Sequence, residues 1–201
     1  MTGGMASAAL ANDRSQASAR PGAGITVIGH LMALCCIMFA IVNIVFEMTG
    51  HFADGPHVEY VRAIAVMNWL VVGLKAMGAA VALMSVAKRP RFLPPAGLGV
   101  LLWGAFAMLG VYALGSVMQA VGMASGLTGT ADQIDPAGVG YVLFFLVLTA
   151  GYGALAISWS RRFALRKGVA VLGVLGAPVV LGVILLAVPM LLAALGLMPT
   201  S

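Results

Sequence analysis

The chain has 201 residues, of which 62% are hydrophobic and only 8% are charged. Soluble domains carry about one-quarter charged residues, so this composition excludes a soluble globular protein and predicts an integral membrane protein. The formal net charge of +5 does not indicate nucleic-acid binding, because nine of the eleven basic residues flank the long apolar runs on one predicted side of the membrane.

Five continuous apolar runs predict transmembrane helices, and each exceeds the ~18 residues that suffice to cross a bilayer. Strands of a β-barrel would instead appear as alternating segments of about ten residues. The sequence therefore predicts an all-α, polytopic bundle of five transmembrane helices in one domain, residues 25–198. The helices are predicted at residues 25–49, 63–86, 98–122, 138–160 and 169–197.

The segment before the first helix has a different composition. Residues 1–24 are rich in Ala, Ser and Gly and have little apolar surface to bury. Such a composition predicts a disordered tail.

Charged residues alternate between the two sides of the predicted bundle. Because cytoplasmic segments carry an excess of Lys and Arg, we expect a cytoplasmic N-terminus, outer loops at 50–62 and 123–137, and a C-terminus outside. This pattern predicts a multi-pass protein of the cell membrane, typical of a bacterial inner membrane. Its partner is then membrane lipid, with no role for nucleic acid. The basic residues are Arg14, Arg20, Lys88, Arg89, Arg91, Arg161, Arg162, Arg166 and Lys167, and the acids of the opposite side are Asp54, Glu59, Asp132 and Asp135.

The two predicted outer loops resemble each other. Residues 49–61 read TGHFADGPHVEYV, and residues 128–142 read TGTADQIDPAGVGYV. One explanation is a repeat: two helix hairpins of similar sequence followed by a fifth helix, as in some transporters. The other is that both loops lie at the membrane–water interface, where the same residue types are favoured. Both explanations stay open.

Polar residues recur at helical spacing on the first four helices. Since lipid offers no hydrogen bonds, such faces should turn toward one another. We therefore expect a polar seam that opens toward the outer face. The fifth helix has almost no polar residue, so it should be peripheral and contact lipid or another membrane subunit. The predicted ligand-binding residues of the seam are Asn43, Asn68, Tyr112, Ser116, Gln119 and Tyr141.

Lys75 lies in the middle of the second predicted helix, near the centre of the ~30 Å hydrocarbon layer. A charged side chain at that depth is costly and needs a partner, water or deprotonation. By their depth in the membrane, the candidate partners of Lys75 are Asn43, Asn68 or a tyrosine hydroxyl. By the same criterion the candidate partner of Glu47 is Arg62. Three roles stay open for Lys75: a contact that holds the bundle together, a ligand site, or a contact with another subunit.

Glu47 belongs to the stretch VNIVFEM, residues 42–48. This stretch resembles the Asn-x-x-Trp-Glu stretch of small membrane terpene cyclases, in which the Glu donates a proton. The resemblance covers seven residues, Phe46 stands where Trp is expected, and the helices contain no second acid. It implies that Glu47 would be the acid of such a reaction.

Three functions follow from these features. The main prediction is an accessory subunit or a binder of a lipophilic molecule. The first alternative is an intramembrane enzyme that acts on a lipophilic, for example isoprenoid, substrate, with Glu47 or Lys75 as the catalytic acid or base. The second alternative is a small transporter or channel subunit. No strong metal motif is present around His51, and neither a metal nor a cofactor is predicted.

Overall fold

A computed structural model describes residues 21–51, 61–87, 93–130 and 135–194 as helices joined by short connections. Five helices meet the length and hydropathy of membrane spans, and no strand occurs within these ranges. The predicted class, an all-α five-helix membrane bundle, is confirmed. Residues 1–20 of the predicted tail 1–24, and much of the loops that carry the predicted charges, lie outside the described residues; the last two residues of that tail, 23 and 24, belong to the first helix. The helices are α1 (Ala23–Met48), α2 (Val61–Val86), α3 (Pro95–Ala124), α4 (Pro136–Arg162) and α5 (Lys167–Ala194).

All five helices begin two or three residues earlier than the hydropathy predicts, and two of them begin with a proline. α3 begins at Pro95 and α4 at Pro136, because proline suits the first turn, where its missing N–H would be unpaired anyway. Asp135 caps α4 by accepting the Gly138 N–H at 2.6 Å. The apolar runs therefore locate the apolar part of each helix, and a proline marks the start of α3 and of α4.

The two ends of the bundle are named here by the charges of their connecting segments. The acidic end comprises residues 49–60 and 125–135, and the basic end comprises residues 87–94 and 163–166. Which end faces the cytoplasm stays a prediction from the basic residues.

The helices pack as two hairpins. α1 pairs with α2, and α3 pairs with α4, while the largest single contact between the hairpins is that of α1 with α4. α5 packs mainly on α3. A Cβ at Gly173 would lie 2.7 Å from the carbonyl oxygen of Val100, so only glycine permits this close approach of α5 to α3. α5 thus lies at the periphery and exposes Val171, Leu172, Leu175 and Val179.

The tightly packed core lies toward the basic end. Its largest buried side chains are Leu98, Leu102, Tyr152, Leu155 and Trp159, each at most 1% exposed. Polar contacts close this end. Trp159 Nε1 donates to the Pro95 carbonyl at 2.9 Å, and Arg162 donates to the Ser85 carbonyl at 3.0 Å, where the last turn of α2 leaves acceptors free.

The acidic half of the bundle is more open. The buried core extends on α1 to Ala40 and begins on α4 at Phe145. Residues 136–141, the first six of α4, are all exposed. The two hairpins therefore leave accessible side-chain surface between the centre of the bundle and its acidic end.

The ends of α1 and α3 bear on the possible repeat. Gly50 follows the C-cap of α1 with φ 66°, and Gly126 follows that of α3 with φ 75°. In both turns a backbone N–H donates to the carbonyl oxygen of the residue five positions earlier. The pairs are His51 N–H to Phe46 and Leu127 N–H to Gly122. By position in the turn, Gly50 therefore corresponds to Gly126. The similarity of the loop sequences would instead align Gly50 with Gly129, three residues later.

Candidate functional site

A groove of about 540 Å³ lies between the second half of α3 and the first half of α4. Its volume falls within the ~300–1,000 Å³ of small-molecule sites. Four of the predicted ligand-binding residues line it: Tyr112, Ser116, Gln119 and Tyr141. Its apolar walls include Val117, Val121, Met123, Val142 and Leu143.

Helical spacing places the α3 residues of the groove on one face. Tyr112, Ser116, Gln119 and Met123 are separated by four, three and four residues, the repeat of a single helix face. The hydroxyl of Ser116 donates back to the Tyr112 carbonyl at 3.0 Å. The α3 face of the groove therefore presents the phenol of Tyr112, the hydroxyl of Ser116 and the amide of Gln119 against an apolar background.

Asp135 and Gly138 line the groove at the acidic end, and neither was among the predicted site residues. The carboxylate of Asp135 is engaged with the first turn of α4 through Gly138 N. The Asp-Pro pair at 135–136 is a recognisable helix start. The spacing does not indicate, however, that this start faces α3.

The predicted residues Asn43 and Asn68 lie elsewhere, between α1 and α2. Asn68 is 7% exposed, and its Nδ2 donates to the Asn43 carbonyl at 3.0 Å and to Glu47 Oε2 at 3.1 Å. Asn43 Nδ2 donates to the Phe39 carbonyl at 2.8 Å. The expected single seam is thus divided into this polar cluster and the α3–α4 groove. The predicted partner of Glu47, the side chain of Arg62, lies outside the described residues.

Lys75 is the middle residue of the span Ile64–Val86, with eleven residues on either side. Its Nζ lies 4.7 Å from the centroid of the Phe39 ring and 4.9 Å from that of Phe145. Among residues 21–51, 61–87, 93–130 and 135–194, no hydrogen bond or ion pair reaches Nζ. The asparagine or tyrosine partner expected from depth is replaced by two aromatic faces. Each cation–π contact contributes about 0.5–2 kcal/mol, against the ~2.5–3.5 kcal/mol or more that a charged residue costs at the bilayer centre.

An aromatic cluster joins Lys75 to the groove; it comprises Phe39, Tyr112, Tyr141, Phe144 and Phe145. The Phe145 ring lies 4.5 Å from the Tyr112 ring and 4.8 Å from the Tyr141 ring, between centroids. Tyr112 and Tyr141 therefore line the groove and contact the same ring that Lys75 approaches. Phe39 and Phe145 were not predicted as site residues, because a phenylalanine in an apolar run gives no signal of its neighbours.

Toward the basic end, the site is closed where three helices meet. Cys36 Sγ on α1 and Tyr152 OH on α4 share a hydrogen bond of 3.2 Å. A Cβ at Gly78 on α2 would lie 3.0 Å from the same hydroxyl oxygen. One turn of α2 separates Gly78 from Lys75, so this junction lies directly beyond the lysine.

The described histidines occupy ordinary positions at the helix ends. His30 Nδ1 donates to the Thr26 carbonyl at 2.7 Å, and His51 stacks on Phe46 with 4.5 Å between ring centroids. Within the described part of the chain, no three side chains of His, Cys, Asp or Glu come together as metal ligands.

The fold and the groove define a class of protein, a multi-pass helical membrane protein with an accessible cleft among its spans. Comparison with protein-family models, with curated proteins and with solved structures found no match.

Proposed function

We propose that this protein is a binding protein or accessory subunit of the cell membrane that holds a lipophilic molecule in the α3–α4 groove. The observation that carries this proposal is the groove itself: a ligand-sized space with apolar walls, two tyrosine rings and few polar groups. Binding sites for small molecules have this composition, in which apolar surface supplies affinity and polar groups set orientation.

The environment of the groove favours a ligand that comes from the bilayer. Tyr112 and Tyr141 are 47% and 42% exposed, so the groove is open at its side to the surroundings of the helices. With the basic residues in the cytoplasm, it would open in the outer half of the membrane. A lipid-like molecule in that half could enter without crossing water.

The two alternatives have weaker geometric support. For an enzyme with Glu47 as the acid, the carboxylate would have to face the ligand, yet it is bonded to Asn68 and is not part of the groove lining. For a transporter, a path would have to cross the basic half, which Tyr152, Leu155 and Trp159 fill with side chains at most 1% exposed.

Photolabelling in phosphatidylcholine nanodiscs tests the proposal. The probe is hexadecanol that carries a diazirine in its chain, with unlabelled hexadecanol as the competitor. We expect saturable labelling in peptides that contain residues 112–124 and 136–143. Truncation of the ring in Tyr141→Ala should raise the half-saturating mole fraction about fivefold, because an aromatic contact contributes on the order of 1 kcal/mol.

Trp69→Ala is the matched control, since Trp69 is a large aromatic residue, 51% exposed, on α2. Its labelling should equal that of the native protein. Labelling spread evenly over the five helices, or not reduced by unlabelled hexadecanol, would contradict the proposed function.

A further inference from the structure

We propose that the molecule bound in the groove is an anionic amphiphile and that Lys75 anchors its acidic head, a carboxylate or a phosphate. This inference rests on the proposed lipid-binding function and names the chemical class of the ligand. It starts from the one basic side chain near the centre of the described spans.

The charge of Lys75 has no counter-charge in the described part of the chain. Glu47 and Asp135 are the acids within residues 21–51, 61–87, 93–130 and 135–194. Glu47 accepts from Asn68 between α1 and α2, and Asp135 caps α4. An ammonium group at the centre of a bilayer is stable when paired or hydrated. A ligand that brings an acidic group would supply the missing partner.

The described side chains around Nζ are aromatic rings, so an acidic partner would have to come from a ligand. Phe39 and Phe145 present aromatic faces at 4.7 and 4.9 Å, which attract the cation and accept no conventional hydrogen bond. Lys75 is only partly buried, so part of this residue remains accessible. The ammonium therefore keeps donors available for the oxygens of a carboxylate or a phosphate.

The aromatic cluster places Lys75 next to the groove, with the Phe145 ring between them; Lys75 is not itself part of the groove lining. Phe145 contacts Lys75 and also the two tyrosines that line the groove, Tyr112 and Tyr141. The Cys36–Tyr152 junction closes the space beyond Lys75. An acidic head that reaches Lys75 past the edge of the Phe145 ring would leave the hydrocarbon chain to lie along Tyr141 and the apolar walls of the groove.

The experiment compares three photoreactive probes of equal chain length in phosphatidylcholine nanodiscs, above the pH at which the acids ionise. Palmitate supplies a carboxylate, hexadecyl phosphate supplies a phosphate, and hexadecanol is neutral. In the native protein at least one acid should reach half-saturation at a mole fraction about tenfold below that of hexadecanol. The lower of the two acidic values identifies the head.

Two variants of Lys75 and one control separate charge from shape. Lys75→Met keeps the length of the side chain and should abolish the preference for the acid over hexadecanol. Lys75→Arg should keep a preference for the acid, and Lys167→Met, at an exposed lysine at the start of α5, should leave it unaltered. Thermal unfolding checks that each variant is folded.

The outcomes distinguish this inference from the proposed function. If hexadecanol labels the groove saturably and neither acid is preferred, the anchoring role of Lys75 is wrong and the binding function stands. The same conclusion follows if Lys75→Met keeps the preference. If none of the three probes labels the groove saturably, the binding function itself is wrong.

Discussion

Asn68 on α2 donates its side-chain amide to the carboxylate of Glu47 on α1, with 3.1 Å between Nδ2 and Oε2. The same amide donates to the backbone carbonyl of Asn43. A residue that is 7% exposed thus joins two neighbouring spans through both available N–H groups. This contact gives the polar residues of α1 a structural role and separates them from the groove.

Replacement of Asn68 should weaken the α1–α2 hairpin. We expect Asn68→Leu to lower the free energy of unfolding by about 0.6–1.7 kcal/mol, the range for polar contacts between membrane helices. Chemical unfolding in mild detergent measures the change. Ser116→Ala is the control, because Ser116 bonds only to its own helix and its loss should change stability little. Equal stability of Asn68→Leu and the native protein would contradict a structural role for this amide.

Substitution of Glu47 separates the structural role from the enzymatic alternative. Glu47→Gln keeps an amide oxygen that can accept from Asn68, so we expect a stability within about 0.5 kcal/mol of native. If Glu47 were a proton donor, the same change would abolish turnover of isoprenoid substrates by a folded protein. Product analysis with native and variant protein, each checked by thermal unfolding, decides between the two roles.

The α3–α5 contact depends on a missing side chain. In Gly173→Ala the new Cβ would meet the carbonyl oxygen of Val100, which is backbone and cannot turn aside. We expect a loss of about 1–3 kcal/mol, the usual effect of overpacking.

A second glycine of α5 is the matched control for this change. A Cβ at Gly182 would meet nothing within 4 Å, so Gly182→Ala should be neutral or slightly stabilising through better helix propensity. Thermal unfolding of both variants is the measurement. A loss of the same size in both would show that close packing at Gly173 is not the cause.

The turn after α4 contains a residue in an unfavourable backbone conformation. Ala164 has φ 47°, the one positive value of a non-glycine residue within the described ranges. Gly50 and Gly126 occupy the equivalent position after α1 and α3. Because an L-residue loses roughly 1 kcal/mol or more in this region, Ala164→Gly should raise the unfolding temperature. Gly126→Ala should lower it. A lowered temperature for Ala164→Gly, or a raised one for Gly126→Ala, would refute this explanation.

The orientation of the bundle is testable by thiol accessibility. In a background with Cys35 and Cys36 replaced by Ala, a membrane-impermeant maleimide should label Leu127→Cys at the acidic end of intact cells. It should label Ala164→Cys at the basic end only after the membrane is opened, because the basic residues are expected in the cytoplasm. The reverse pattern would show that the predicted topology is inverted.

The site was predictable in part. Tyr112, Ser116, Gln119 and Tyr141 line one groove, as helical spacing suggested, because residues three and four apart share a face whatever the helix contacts. Asn43 and Asn68 were expected in the same seam and instead bond across α1 and α2. Spacing indicates which side of a helix is polar, but it does not indicate which neighbouring helix that side meets.

The sequence by itself determined the membrane class, the five spans and the central position of Lys75, because these depend on the length and polarity of local segments. Only the tertiary structure decided that Lys75 faces Phe39 and Phe145 and that Asn68 donates a hydrogen bond to Glu47. It also decided that the groove lies between α3 and α4. Apolar helix surfaces are chemically alike in lipid, so their pairing is set by close fits such as Gly173 against Val100. Those fits depend on the shapes of two helices together, which the pattern of one helix does not contain.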